Sequence, residues 1–203
     1  VGAVLGSFGT FFSDRRFVGY QMIGTASFSA IFAFLSTVSY FMRDVFAVAP
    51  ENFGYAFAIS VSGYMIGSLS SSRLVPYLGP DNTMRTGTLL STAAALALLI
   101  AANLDPVPVG LAAVSSFSVF LGIGLTFANA MMGAVSLYPN TAGAASAAYG
   151  FTHATSAAAV GVVAGHFYDG SLVPTTAIML VCCGFACIGL VAAREIPDQG
   201  RAI

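Results

Sequence analysis

The sequence has no tryptophan, no lysine, and almost no charge of either sign. Only 7% of its 203 residues are charged, while 57% are hydrophobic. A soluble domain carries about 25% charged residues, because its surface must face water. This chain cannot cover a globule with so little charge, so lipid must be the solvent for most of its surface. The mean hydropathy of +0.86 agrees. A net charge of −1 gives no basic patch for nucleic acid. The three cysteines, Cys182, Cys183 and Cys187, fall in a single apolar run without histidine or carboxylate. That excludes a metal site there, argues against a disulfide scaffold, and leaves them as small apolar residues on a lipid-facing helix.

What is present is apolar sequence in long runs. About 20 such residues cross a bilayer core as a helix. Six runs qualify: Phe17 to Met42, Phe53 to Leu69, Met84 to Ala102, Val109 to Leu137, Ala142 to Phe167 and Leu172 to Ala193. Breakers separate them, among them Ala49-Pro50-Glu51-Asn52, Leu78-Gly79-Pro80-Asp81, Asp105-Pro106-Val107-Pro108 and Tyr138-Pro139-Asn140. The expected fold is an all-α membrane protein of six transmembrane helices. Arg15, Arg16, Arg73, Arg85, Arg194 and Arg201 fall on one side of such a bundle, with only Arg43 on the other. Basic residues gather in the cytoplasm, so both termini are expected there.

The fifth run is the most informative. Ser146, Tyr149, His153 and Ser156 share one helical stripe. Gly150, Ala154, Ala157, Gly161 and Gly165 form a neighbouring stripe of small residues, suited to close helix packing. A polar stripe is costly against lipid and is expected to face a cavity or the bundle interior. His153 is either a structural histidine bonded to a neighbouring helix or a cavity-facing group. Asn129, in the fourth run, either cross-links helices or touches a substrate. The first run holds Phe28, Phe32, Phe34, Tyr40 and Phe41. Such a helix is packed in apolar surroundings or walls a site for flat organic molecules. Gly63-x-x-x-Gly67 in the second run reads as a packing seam.

Several stretches carry a resemblance. Val48-Ala49-Pro50-Glu51-Asn52-Phe53-Gly54-Tyr55 is similar to the loop and helix start after the seventh span of the bicyclomycin-resistance (Bcr/CflA) drug exporters, of the major facilitator superfamily. Ser72-Arg73-Leu74-Val75 with Gly79 and Met84-Arg85 resembles their cytoplasmic link between helices eight and nine. Asn129-Ala130 resembles their helix-ten motif, and Ala142 to Gly150 the segment opening helix eleven. The chain departs from the family pattern at Ala144, Ala128, Tyr40 and Pro76-Tyr77.

The resemblance implies a C-terminal half, helices seven to twelve, with residues 1–16 ending a central cytoplasmic linker and 17–203 forming the bundle and a short cytoplasmic tail. It implies proton-coupled antiport of small hydrophobic drugs by alternating access in the bacterial inner membrane. The partners would be lipid, protons, drug and an N-terminal six-helix half. No cofactor, metal or catalytic residue is implied. The cavity residues would be Phe28, Phe32, Tyr40, Asn129, Ser146, Tyr149, His153 and Ser156. Gly63, Gly67, Gly150, Gly161 and Gly165 would pack helices, and Arg73 and Arg85 would serve the cytoplasmic gate. Two alternatives are a stand-alone six-helix half-transporter working as a dimer and an intramembrane serine protease. The protease needs a nucleophile, yet its Gly-x-Ser-Gly pattern is absent.

Overall fold

Asp14 starts the bundle. Its carboxylate accepts from the Arg16 N–H at 2.8 Å, an N-cap that satisfies one of the orphan donors of the first helix. The helix then runs Arg15–Asp44 (α1) through an apolar sequence without proline. The computed structural model describes residues 11–193, and five further long helices follow: Phe53–Leu78 (α2), Pro80–Ala102 (α3), Val109–Ser136 (α4), Ala142–His166 (α5) and Val173–Ala193 (α6). No strand occurs among the described residues. The segment before residue 11 and the tail after 193, including Arg194 and Arg201, lie outside the described residues.

Four helices, α1, α3, α4 and α6, are both long and apolar enough to cross a membrane. The other two, α2 and α5, are long enough, but serine, threonine and glycine dilute their hydropathy. They are also the two with the least protein around them. Helix α2 rests mainly on α4, and α5 mainly on α1. The central pair α1 and α4 pack on each other, and α3 and α6 close the bundle behind them.

This arrangement repeats. Helix α1 packs on α5 and α6 as α4 packs on α2 and α3, so α1–α3 and α4–α6 are two three-helix units related by exchange. Each unit's second helix opens the same way, through a 3-10 turn begun by proline: Pro50–Asn52 before α2 and Pro139–Thr141 before α5. The close seams are paired too. Gly19 and Gly189 join α1 to α6, where a Cβ on Gly189 would lie 2.9 Å from the Gly19 carbonyl oxygen. Gly87 and Gly122 join α3 to α4, each with its missing Cβ 2.5 Å from the other's carbonyl oxygen. Small residues let backbones approach this closely in lipid, where packing replaces the hydrophobic effect.

Two boundaries differ from the sequence reading. Helix α2 does not stop at Leu69 but continues through Arg73 and Pro76 to Leu78, so the expected link between the second and third spans shrinks to Gly79. Its φ of 78° is the left-handed value that glycine adopts without a Cβ penalty. The cysteines also sit differently from expectation. Cys182 and Cys183 are buried, and Cys187 lies 3.3 Å from the Thr92 hydroxyl. They face α3 and the core rather than lipid, because α6 presents that side to Thr92, which also donates to the Cys183 carbonyl.

Polar ties hold the two ends. At the end bearing the start of α1, Tyr20 donates to Asp81 at 2.9 Å and Tyr138 donates to Asp14 at 2.8 Å. Phe11 and Phe17 stack on each other beside the latter bond, and both meet Tyr138 edge-on. Burial, with the Asp14 carboxylate adding to it, pushes the Tyr138 hydroxyl up to about 12, so it remains a donor at neutral pH. At the other end Tyr168 donates to Asp44 at 3.2 Å.

Candidate functional site

Gln21, Gly24, Phe28 and Phe32 recur every three or four residues along α1 and so occupy one face. Opposite them α5 presents Tyr149 and His153, one turn apart. Between them α4 contributes Phe127 and Ala130. Phe28 and His153 lie near the middle of their helices, which places the cluster at mid-depth.

The ring contacts are close. The Phe28 ring lies 3.9 Å from the His153 imidazole, centroid to centroid, and tilted by 50°. Phe127 stacks on Phe28 at 5.2 Å and on His153 at 5.0 Å. Phe32 continues the wall, 5.1 Å from Phe28. Below this wall Tyr149 is 1% exposed, and its hydroxyl sits directly over Gly24. A side chain on residue 24 would collide with it. Gln21, also buried, donates to Thr25 at 2.7 Å and to the Tyr149 carbonyl at 3.3 Å. The carboxamide thus ties α1 to the turn of α5 that carries Tyr149 and His153.

Polar capacity is left over here. Among the described residues, Gln21 Oε1, Tyr149 Oη and His153 Nε2 are buried without a hydrogen-bond partner, as are Ser27 Oγ and Ser29 Oγ. A buried group left unsatisfied costs roughly 1–3 kcal/mol. Three of these groups belong to Gln21, Tyr149 and His153, at or beside the aromatic cluster.

Of the residues singled out from sequence, Phe28, Phe32, Tyr149 and His153 come together. Ser146 lies half-buried on the same helix, about one turn before Tyr149. The others go elsewhere. Asn129 faces α2, donating to Ser71 Oγ and to the Leu125 carbonyl, both at 2.7 Å, and so ties two helices. Ser156 lines a separate groove with Met22, Ser29 and Phe185. Tyr40 lies at the end where α1 finishes, 5.5 Å from Tyr168, in a groove that Phe32, Gly161 and Gly165 also line.

Gly63 and Gly67 abut the carbonyl oxygens of Phe117 and Leu121 on α4. Gly161 touches α1, where its missing Cβ would lie 2.7 Å from Ser36 Oγ. The expected small-residue stripe is a contact there and at buried Ala157, but not along its whole length. At Gly150 and Gly165 an added Cβ meets nothing within 4 Å, since Gly165 opens on the groove beside Tyr40. Arg73 is exposed on α2 and Arg85 half-buried on α3. Sequence reasoning missed Phe127 and Gln21. Gln21 had a signal, a lone carboxamide inside an apolar run; Phe127 had none.

A bicyclomycin resistance protein homolog of Haemophilus influenzae is 27% identical over 180 residues, 86% of this chain and 42% of that protein. The chain is similar to that protein over most of its own length. An uncharacterized MFS-type transporter of Bacillus subtilis, YdgK, is 24% identical over 181 residues, 89% of this chain and 44% of that protein. The chain therefore spans less than half the length of the curated relatives it matches. No family model and no solved structure matches it. The two exchanged three-helix units are compatible with one membrane half of a facilitator fold.

Proposed function

We propose that this chain is the C-terminal half of a proton-coupled exporter of hydrophobic drugs that works by alternating access. The observation that carries this reading is the mid-depth cluster of Phe28, Phe127 and His153, with unsatisfied polar atoms beneath it. Aromatic walls bind flat apolar molecules with few directional demands, and a small number of polar atoms fixes their orientation. Helices α1, α2, α4 and α5 would face a second six-helix half across the site, and α3 and α6 would pack behind. The lower hydropathy of α2 and α5 supports this, because a helix lining a cavity needs less apolar surface than one in lipid.

The bundle sits in the inner membrane with the Arg15, Arg73 and Arg85 end in the cytoplasm. Every carboxylate among the described residues lies at a helix end or in a loop, so the other half would carry the coupling proton. A stand-alone half-transporter acting as a dimer is the other reading. Drug accumulation in cells deprived of their own exporters tests the proposal. Expression should lower accumulation of an aromatic drug, an uncoupler should restore it, and Phe28→Ala should weaken the effect. Equal accumulation with and without the protein, for every drug tried, would overturn it.

A further inference from the structure

A cavity lies away from the aromatic cluster, at the end of the bundle where α1 finishes. It encloses about 130 Å³ where α1, α2, α3, α4 and α6 converge. Phe34, Phe41, Leu98 and Met179 form its buried walls. Its roof comes from the turn after α1. Ala47 takes a left-handed φ of 50°, and the Val48 N–H returns to the Met42 carbonyl at 2.9 Å, so Phe46 and Val48 fold back over the opening. Half-exposed Ile59 and exposed Val109 leave a mouth between the starts of α2 and α4.

Four hydroxyls line this space, and all are committed to protein acceptors. Ser60 donates to Ser116 Oγ, which donates to the Ala113 carbonyl. Thr175 donates to Thr37 Oγ1, and Thr176 to the Leu172 and Val173 carbonyls. A buried water needs two to four polar partners, and an apolar cavity of about 150 Å³ stays dry and takes up benzene. The cavity here has that size, and every hydroxyl donor on its wall is already engaged.

We propose that it is a binding site for a free apolar solute of benzene size, an aryl or short alkyl group, separate from the mid-depth cluster. The ligand would touch both three-helix units at once. The site stands or falls independently of the transport reading.

The test uses the protein at its native length in detergent micelles, with 13C-methyl methionine and added benzene. Met42 and Met179 line the cavity, while Met65 and Met132 are exposed on the outside of the bundle. Saturable shifts at Met42 and Met179, lost or weakened at least tenfold by Ala112→Leu, are expected. Shifts that grow linearly and appear first at Met65 and Met132 would mean that benzene merely dissolves in the micelle, and would overturn the proposal. So would nuclear Overhauser contacts in nanodiscs from lipid chains to the Met179 methyl that benzene does not displace, since the occupant would then be an acyl chain. The wild-type spectrum alone decides this if Ala112→Leu fails to fold.

Discussion

The hydroxyl of Tyr149 lies over the Cα of Gly24, the one residue type that leaves it room. Gly24→Ala should therefore push Tyr149 out of place, with a stability loss of about 1–3 kcal/mol, the usual range for overpacking. Tyr149→Phe removes a hydroxyl that has no partner, so it should be neutral or slightly stabilising on its own. In the Gly24→Ala background it should recover much of the loss. Thermal unfolding in detergent of the two single variants and the double variant measures this coupling.

Asn129→Ala and Ser71→Ala should each cost about 0.6–2 kcal/mol, the range for interhelical hydrogen bonds in membranes. Both should leave the spectrum of exported drugs unchanged, because the amide spends its donors on α2 and on its own helix. A changed drug profile in Asn129→Ala with unchanged stability would show that the side chain reaches substrate.

Glycines of similar appearance should behave differently. Gly67→Ala and Gly63→Ala drive a methyl into backbone carbonyls of α4, which cannot move aside, and should lower folded yield severely. Gly150→Ala and Gly165→Ala meet open space and should be tolerated, with a gain of up to about 1 kcal/mol from helix propensity. Gly161→Leu falls between, since it must displace Ser36 Oγ before it wedges α5 from α1. Size-exclusion profiles of the five variants rank them.

Ala47 holds a conformation that costs an L-residue about 1–2 kcal/mol. Ala47→Gly should relieve it and raise the unfolding midpoint, less the extra entropy that glycine loses on folding. An unchanged or lowered midpoint would mean that the turn is not strained at this position.

Much of the fold was legible because lipid imposes one rule, that each span be a long apolar helix with its backbone bonds satisfied internally. The site was legible only in part. Periodicity groups residues on one face, but it does not say which helix stands opposite. Asn129 therefore could not be assigned to Ser71, nor Ser156 separated from His153. Alanine saturates α5, so apolar and small residues surround it on nearly all sides and blur the packing face. That is why Gly150 and Gly165 read like Gly161. The cysteines were misplaced for the same reason, since composition alone does not distinguish the lipid side of α6 from its core side.

The central claim is that the Phe28, Phe127 and His153 cluster receives the drug. This chain has no tryptophan, so Phe127→Trp would place its single tryptophan at the cluster, excited apart from the tyrosines. Titrating the purified variant with an aromatic drug that the cell exports should change its emission saturably, and adding Phe28→Ala or His153→Ala should weaken the apparent affinity about tenfold. Emission that stays constant while export continues would place the drug path elsewhere and contradict the account.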